Sequence, residues 1–184
     1  MAEFTLTAKT PLDGLDITIG NCRLCEIPLM LASVAIPLNG EEALAAALKQ
    51  QFGLAMPQAK MTTQAASIRA ARTGPDQLML FMTDTTAANV EEALAGVGYV
   101  TDQTDNWVLC TLSGTGARAA LERICPVDLE DTQFPEHAYA RTVMEHMGAA
   151  VLRTGPADWL LMSASSSAKS FVHAIELSMR YTAE

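Results

Sequence analysis

The chain has 184 residues, of which 49% are hydrophobic and 18% charged, and its formal net charge is −9. This balance supplies enough apolar side chains for a folded core and excludes an intrinsically disordered chain. The acidic charge and the small aromatic share of 5% disfavour a protein that binds nucleic acid or an anionic membrane surface.

The N-terminal region predicts neither a secretory signal nor a membrane anchor. Residues 1–20 lack a basic start followed by an apolar run. The apolar stretch from Ile27 to Leu38 is too short to span a bilayer and contains two prolines. Four cysteines in a chain of this length do not form a disulfide scaffold. We therefore expect a cytoplasmic protein with reduced cysteines.

The first half of the chain predicts a lobe with the element order β-α-β-β-α. A strand-like segment from Arg23 to Leu38 precedes a helix that ends at Gly53. Two strands follow, and a second helix begins near Thr85 or Thr86 and ends at Gly98.

The second half predicts the same element order. A strand from Trp107 to Leu112 leads through Ser113-Gly114 into a short helix. An extended segment runs from Tyr139 to Thr154, and a last helix follows the serines Ser165-Ser166-Ser167.

A short internal repeat relates the two halves. Arg72-Thr73-Gly74-Pro75 and Arg153-Thr154-Gly155-Pro156 each precede an apolar strand and then a helix. Chance recurrence of a Gly-Pro turn is one explanation, but the matching order of the flanking elements favours a duplication. The order β-α-β-β-α is typical of ferredoxin-like folds. The sequence therefore predicts an α+β protein with two ferredoxin-like lobes, each an antiparallel sheet with helices on one face.

No Pro/Gly-rich linker or charge block separates the two halves. We expect one compact unit that consists of an N-terminal arm (residues 1–21), a first α+β lobe (residues 22–98) and a second α+β lobe (residues 99–184).

The titratable residues form no complete catalytic constellation. Cys22 and Cys25 have the C-x-x-C spacing of zinc and thiol-exchange sites, but no further ligands follow at zinc spacing. On a strand their side chains would point to opposite faces, which favours buried or edge thiols. The histidines, His137, His146 and His173, lie far apart in the sequence. We assign no catalytic, cofactor-binding or metal-binding residue.

The glycine-rich turn Ser113-Gly114-Thr115-Gly116 opens a predicted helix, so its backbone N–H groups could hold an anion. It lacks the lysine and the length of a P-loop. A helix N-terminus built from small residues is the favoured interpretation.

A more specific pattern lies in the second half of the chain. It consists of Leu112-Ser113-Gly114-Thr115-Gly116-Ala117-Arg118, then Cys125-Pro126-Val127-Asp128-Leu129, then Phe134-Pro135. This pattern resembles the gamma subunit of heterotetrameric sarcosine oxidase, in which Leu-Ser-Gly-x-x-Ala-Arg, Cys-Pro-x-Asp-Leu and Phe-Pro occur in this order. The resemblance covers most of the chain from about residue 22 and is strongest from Leu112 to Pro135.

Turn chemistry and packing account for the residues of this motif. Pro126 ends the preceding helix because the residue before a proline is displaced from the α region. Asp128 can accept hydrogen bonds from nearby backbone N–H groups, and Cys125 is interpreted as a small buried side chain. The predicted structural motif consists of Ser113, Gly114, Cys125, Pro126, Asp128, Phe134 and Pro135.

The resemblance implies a subunit without catalytic activity of its own. The family's complex oxidises sarcosine to glycine, consumes oxygen, produces hydrogen peroxide and transfers the one-carbon unit to tetrahydrofolate. FAD, FMN, NAD and tetrahydrofolate belong to its alpha and beta subunits and zinc to its delta subunit, so no cofactor is expected on this chain. The alpha, beta and delta subunits are the implied partners, and the isolated chain is expected to be capable of forming a homodimer.

The resemblance also implies a fold similar to part of the folate-binding domain of aminomethyltransferases, such as the T protein of glycine cleavage. A second hypothesis is therefore a stand-alone folate or one-carbon binding module, and a third is a homo-oligomeric binding protein. The chain is much shorter than a full aminomethyltransferase, which favours the first hypothesis over the second.

Overall fold

The structure, a computed structural model, describes residues 9–83 and 89–183. The described residues form two antiparallel sheets and four α-helices. In chain order the strands are β1 (Asp16–Ile19), β2 (Cys22–Glu26), β3 (Met30–Ala35), β4 (Thr62–Ala65), β5 (Ile68–Gly74), β6 (Gln77–Met82), β7 (Tyr99–Asp102), β8 (Trp107–Ser113), β9 (Tyr139–Met144), β10 (Met147–Gly155) and β11 (Asp158–Ala164). The helices are α1 (Glu41–Phe52), α2 (Val90–Ala93), α3 (Ala117–Glu122) and α4 (Ala168–Thr182).

The strands divide into a six-stranded sheet and a five-stranded sheet. The order in the six-stranded sheet is β1-β2-β8-β11-β10-β9, and the order in the five-stranded sheet is β4-β5-β6-β3-β7. Neighbouring strands in both sheets run antiparallel. The prediction of an α+β protein with antiparallel sheets is confirmed.

The two sheets pack face to face, and helices cover their outer faces. Phe81 of the five-stranded sheet and Leu160 of the six-stranded sheet belong to the apolar layer between the sheets. Leu48 of α1 packs on the outer face of the five-stranded sheet, and Phe171 of α4 packs on the outer face of the six-stranded sheet. The layer order is therefore helix, sheet, sheet, helix.

This arrangement explains the nearly continuous apolar runs in the central strands. In β6, Leu78 and Leu80 face the helices, whereas Met79 and Phe81 face the other sheet. Because successive side chains of a strand point to opposite faces, a strand buried on both sides needs apolar residues at every position. β11 follows the same rule.

Backbone hydrogen bonds also join the two sheets at one edge. The N–H of Thr62 donates to the carbonyl oxygen of His137 at 2.7 Å, and the N–H of Tyr139 donates to that of Lys60 at 2.8 Å. Met61 and Ala138 form an antiparallel bridge between these two contacts. The sheets are thus tied together by main chain as well as by apolar packing.

The internal repeat forms two equivalent hairpin corners. Arg72 and Gly74 flank a register shift between β5 and β6, and Arg153 and Gly155 flank the same shift between β10 and β11. The prediction that both segments are β-hairpin turns is confirmed. The order of elements around them, β3-α1-β4-β5-β6-α2 and β8-α3-β9-β10-β11-α4, also matches between the halves.

Between its two helices, each half contains three strands, one more than the two of the predicted β-α-β-β-α order. The predicted extended segment from Tyr139 to Thr154 is a hairpin, because the chain reverses at Glu145 and His146, where φ is 45° and 70°. Neither residue is a glycine or an asparagine, so the turn carries no strong sequence signal. The equivalent turn in the first half lies between β4 and β5.

The predicted strand from Arg23 to Leu38 is two strands in different sheets. Pro28 lies between β2 and β3, and a proline cannot donate a ladder hydrogen bond. The chain therefore leaves the six-stranded sheet after Glu26 and enters the five-stranded sheet at Met30.

The two sheets do not follow the lobe boundaries proposed at residues 22 and 98, because strands from one proposed segment pair with strands from another. β2, from the proposed first lobe, pairs with β8, because Leu24 belongs to the core of the six-stranded sheet. β7, from the proposed second lobe, pairs with β3, where Val100 packs against the core of the five-stranded sheet. β1, within the proposed arm of residues 1–21, pairs with β2.

The observed helix ends agree in part with those predicted from the sequence. α1 ends as expected at Gly53, which has a φ of 67°. The N–H of Gly53 donates to the carbonyl oxygen of Lys49 at 3.0 Å, and the N–H of Leu54 donates to that of Leu48 at 3.2 Å. The predicted start of a helix near Thr85 or Thr86 lies outside the described residues. α2 ends at Ala93 and not at Gly98, because Gly96 adopts a φ of 79° and turns the chain.

Gly114 is the glycine whose replacement has the clearest structural consequence. Its φ is 107°, and an added Cβ would overlap the carbonyl oxygen of Asn21. We expect Gly114→Ala to lower the free energy of unfolding by about 3 kcal/mol or more, because backbone strain and overpacking add. Urea denaturation of the purified chain measures this loss.

Gly148→Ala is the matched control for this substitution, because its Cβ would enter open space. We expect the control to change the free energy of unfolding by less than about 0.5 kcal/mol. Equal stability of the two variants would contradict the role of Gly114.

Candidate functional site

Ser113 and Gly114 form the turn between β8 and α3. The N–H of Gly114 donates to the carbonyl oxygen of Ala157 at 3.1 Å, which links this turn to the β10–β11 hairpin. The carbonyl oxygen of Gly114 accepts from the N–H of Ala117, the first residue of α3. The turn thus connects one helix to the hairpin corner of the same half.

The Cys125-Pro126-x-Asp128 segment follows α3. The N–H of Cys125 donates to the carbonyl oxygen of Leu121 at 2.8 Å, and its side chain lies in the core of the six-stranded sheet. Pro126 is exposed. The carboxylate of Asp128 accepts from the N–H of Glu130 at 3.0 Å, the contact expected for a turn-forming aspartate. Burial raises the pKa of the Cys125 thiol, which disfavours a reactive thiolate.

Phe134 and Pro135 bring this segment to the hairpin corner. The ring of Phe134 stacks on that of Trp159 with a centroid separation of 5.9 Å. The carbonyl oxygen of Pro135 accepts from the N–H of Ala138 at 3.0 Å. The structural motif inferred from the sequence therefore surrounds one corner of the six-stranded sheet.

Arg153 lies at the centre of this corner, and only 5% of it is exposed. Its guanidinium donates to the carbonyl oxygens of Gly155 at 3.2 Å, Phe134 at 3.0 Å and Pro156 at 3.0 Å. The same group pairs with the carboxylate of Asp131 at 2.8 Å. It also lies over the Trp159 ring, 5.5 Å from the ring centre. A buried guanidinium requires such partners, so the corner is built around this side chain.

Arg72 occupies the equivalent position in the five-stranded sheet. Its guanidinium donates to the carbonyl oxygens of Gly74, at 3.3 Å, and of Pro75. The carboxylate of Glu41 at the start of α1 pairs with it. The repeated arginine thus closes both hairpins through the same two carbonyl positions. The turn chemistry of the repeat did not predict this role of the arginine, although the recurrence of arginine before both Gly-Pro turns was a usable sequence signal.

The C-x-x-C pair does not form a joint site. Cys22 is buried beneath the helices, whereas Cys25 lies on the other side of β2 and its thiol donates to Asp16 at 3.0 Å. The expectation that the two side chains point to opposite faces is confirmed. Arg23 donates to the same carboxylate at 2.9 Å. Burial raises the pKa of both thiols, which favours their protonated forms.

The three histidines lie in separate elements. His137 precedes β9, His146 lies in the β9–β10 turn, and His173 lies on α4. Within residues 9–83 and 89–183, no group of three or more His, Cys, Asp or Glu side chains is placed to hold a metal ion. That all four cysteines are reduced and free of metal stays a prediction.

A groove of about 960 Å³ opens where the chain crosses between the sheets. The linker from Ile27 to Leu29 forms one wall, and Trp107 with the serines Ser165 and Ser166 forms another. Glu26 lies at its edge, where its carboxylate accepts the N–H groups of Leu12 and Gly14. The groove is large enough for an organic ligand of ordinary size.

No helix among the described residues is long and apolar enough to cross a membrane.

The fold defines an α+β protein of aminomethyltransferase-like architecture. The glycine cleavage system aminomethyltransferase T from Bartonella henselae superposes with a TM-score of 0.62 and 15% sequence identity. The match covers 86% of this chain and 46% of that protein, so the chain spans about half the length of that aminomethyltransferase. No protein-family model matches the chain.

Two further comparisons identify a particular relative. A chain of the heterotetrameric sarcosine oxidase from Corynebacterium sp. U-96, in complex with pyrrole 2-carboxylate, matches with a TM-score of 0.78 and 23% identity, over 89% of this chain and 86% of that one. The sarcosine oxidase subunit gamma of Corynebacterium sp. (strain P-1) is 27% identical over 187 residues, which covers 94% of this chain and 90% of the relative. The chain is thus a homologue of the sarcosine oxidase gamma subunit, and the resemblance seen in the sequence is confirmed.

Substitution of the two repeated arginines should lower the free energy of unfolding by different amounts. Arg153→Met leaves buried carbonyl groups without a donor, so we expect the free energy of unfolding to fall by about 3–5 kcal/mol. Arg72 is paired with a half-exposed Glu41, so we expect Arg72→Met to cost only about 1–2 kcal/mol. Urea denaturation of both variants measures the difference, and a larger loss for Arg72→Met would contradict this ranking.

The ionisation of Asp16 should make the stability of the folded chain depend on pH. Hydrogen bonds from Arg23 and then from Cys25 lower the pKa of Asp16 from its ordinary value near 3.8 to about 2. A lowered pKa in the folded state favours folding while the carboxyl is ionised, so this stabilisation is present above pH 4 and is lost as the pH falls towards 2. NMR titration of the carboxyl should give a midpoint near 2 in the wild type and a higher one in Arg23→Gln.

Acid unfolding measures the effect of Asp16 on stability, and this measurement has a matched control. Asp16→Asn should reduce the loss of stability between pH 4 and pH 2, whereas Asp105→Asn removes an exposed carboxylate outside this cluster. Identical acid unfolding curves for the wild type and Asp16→Asn would refute the assignment.

Proposed function

We propose that the chain is the gamma subunit of a heterotetrameric sarcosine oxidase and that its role there is structural. The observation that carries this proposal is the extent of the similarity: one alignment spans nine-tenths of both this chain and a sarcosine oxidase subunit gamma. A similarity confined to one domain of a longer protein would support only a shared fold.

The proposed complex oxidises sarcosine to glycine, reduces oxygen to hydrogen peroxide and transfers the one-carbon unit to tetrahydrofolate. FAD, FMN, NAD and tetrahydrofolate bind to the alpha and beta subunits and zinc to the delta subunit, and these three subunits are the partners of this chain. The complex is cytoplasmic. This division assigns no catalytic step to the gamma subunit.

The chemistry of the motif residues supports a structural role. Gly114 and Asp128 shape turns, Cys125 fills the core, and Phe134 packs on Trp159. The guanidinium of Arg153 is occupied by carbonyl oxygens and a carboxylate from its own chain. These groups stabilise the corner of a sheet and are already engaged within the subunit.

Co-expression of the proposed complex with and without this chain tests the assembly role. We expect size-exclusion chromatography to show a complete complex, and oxygen consumption with sarcosine, only when the chain is present. Arg153→Met should reduce the yield of the complex through loss of the folded subunit, whereas Arg180→Gln, which removes only an exposed helix pair with Glu176, should not.

Two results would contradict this proposal. Normal assembly and turnover in the absence of the chain would exclude a structural role. Oxidation of sarcosine by the purified chain alone would exclude a non-catalytic one.

A stand-alone folate or one-carbon binding module is the second candidate. The groove beside Trp107, about 960 Å³ in volume, favours it because it is large enough for such a ligand. Titration of the isolated chain with tetrahydrofolate, followed by the fluorescence of Trp107, tests this function. Saturable binding together with a complex that is active without this chain would favour the second candidate over the first.

A further inference from the structure

The strand β7 in the five-stranded sheet corresponds to β2 in the six-stranded sheet. Val100 of β7 lies opposite Val34, which lies opposite the second residue of β6. Leu24 of β2 lies opposite Leu112, which lies opposite the second residue of β11. Since β6 and β11 follow the two repeated corners, Val100 is the counterpart of Leu24.

An equivalent hydrogen bond follows each of these strands. The N–H of Gln103, directly after β7, donates to the carbonyl oxygen of Leu31 at 2.8 Å. The N–H of Ile27, directly after β2, donates to that of Leu109 at 3.0 Å. The two strands therefore have the same register in their sheets.

The sheets differ in what lies beyond these two strands. β1 pairs with the outer edge of β2, whereas no described strand pairs with the outer edge of β7. Ile17 of β1 lies opposite Leu24 and packs against the same core, and Leu24 is 0% exposed. Val100 is only partly buried. Within the described residues, the five-stranded sheet thus lacks the counterpart of β1.

The outer edge of β7 presents main-chain groups for a further strand. In an antiparallel ladder, every second residue directs its N–H and C=O groups to the same neighbour. Because Gln103 bonds to β3, Val100 and Asp102 direct these groups away from β3. Glu26, the counterpart of Asp102, uses its outward N–H to bond the carbonyl oxygen of Leu15 at 2.8 Å.

The features that commonly protect a sheet edge do not prevent pairing in this fold. A short strand and a charged residue both disfavour the addition of another strand. β7 has four residues and ends at Asp102, but β1 also has four residues, and β2 ends at Glu26. An edge with these features is therefore paired in the other sheet. Strand addition at such an edge is a common mode of peptide recognition.

The chain around β7 is acidic. Residues 89–106, which include α2 and β7, contain four carboxylates and no lysine, arginine or histidine. α2 packs against β7, and the neighbouring strand β3 contains no charged residue. A second copy of this edge would bring like charges together, whereas a basic segment would be attracted.

We propose that the outer edge of β7 binds an extended, basic segment of a partner protein. The segment adds as a sixth strand, antiparallel to β7, in the position that β1 occupies on β2. Its apolar side chains pack beside Val100, and alternate side chains lie beside Tyr99, which is 71% exposed. A lysine or arginine of the segment lies opposite Asp102. The proposal goes beyond the assembly role, because it assigns one surface and the chemistry of the segment that this surface accepts.

NMR titration of the full ¹⁵N-labelled chain tests the proposal. The probe is an acetylated and amidated synthetic peptide, Lys-Lys-Thr-Ile-Thr-Ile-Lys, which copies the alternation of β1 and adds basic residues. We expect saturable shifts and slower hydrogen exchange at the N–H groups of Val100 and Asp102. The N–H groups of Leu24 and Glu26 are the internal control, because β1 and the residue before it already cover them.

A second peptide and two variants separate strand addition from other binding. The peptide with glutamates in place of the lysines should bind at least about tenfold more weakly at low ionic strength. Val100→Pro removes the outward N–H but no hydrogen bond to β3, so it should weaken binding of the basic peptide by about tenfold or more. Val100→Thr keeps the N–H and the branched shape, and it should bind within about threefold of the wild type.

Several outcomes would overturn the proposal. They are the absence of saturable shifts at Val100 and Asp102, equal affinity for the two peptides, and wild-type affinity in Val100→Pro. Shifts of these two N–H groups with protein concentration, in the absence of peptide, would identify a second copy as the occupant and would also overturn it.

Asp102→Lys keeps the test decisive if Val100→Pro does not fold. The side chain of Asp102 is exposed, and its replacement reverses the charge at the edge. Affinity for the basic peptide should then fall by about fivefold or more, and an unchanged affinity would contradict the proposal. The experiments use the chain without partner subunits, so their failure leaves the assembly role untouched.

Discussion

The apolar layer between the two sheets is the constraint on which the rest of the structure depends. It requires the central strands to be buried on both faces, so β6 and β11 carry apolar residues at consecutive positions. The helices then cover only the outer faces. The high hydrophobic share of the chain and its small share of charged residues agree with three apolar layers that have to be filled.

A repeated arginine occupies each of the two hairpin corners. Each hairpin turns sharply at a Gly-Pro pair and presents the carbonyl oxygens of both residues to this arginine. Arg72 and Arg153 satisfy these oxygens from within the strand that leads into the turn. The same solution at both corners, with the same register shift, is the strongest structural sign that the two halves arose by duplication.

The two corners nevertheless differ in what surrounds them. Arg72 pairs with Glu41 on a helix near solvent, whereas Arg153 is enclosed by Trp159 and Phe134. The motif that resembles sarcosine oxidase gamma subunits lies around the enclosed corner. Its residues form the packing and turns of one half.

The sequence by itself determined the local features that depend on neighbouring residues. The α+β class, the two Gly-Pro corners, the end of α1 at Gly53 and the opposite orientation of Cys22 and Cys25 follow from strand and helix periodicity and from turn chemistry. The motif from Leu112 to Pro135 also identified the relative, because its residue types and spacing are specific.

Only the tertiary structure decided which strands share a sheet. β2 and β7 join sheets across the expected boundaries because the open edges and apolar faces that receive them are built from distant segments. The burial of Arg153 has the same origin. The alternation of residues along a strand shows which face of the strand a side chain occupies. Its exposure to solvent depends on the sheet or helix that packs against that face.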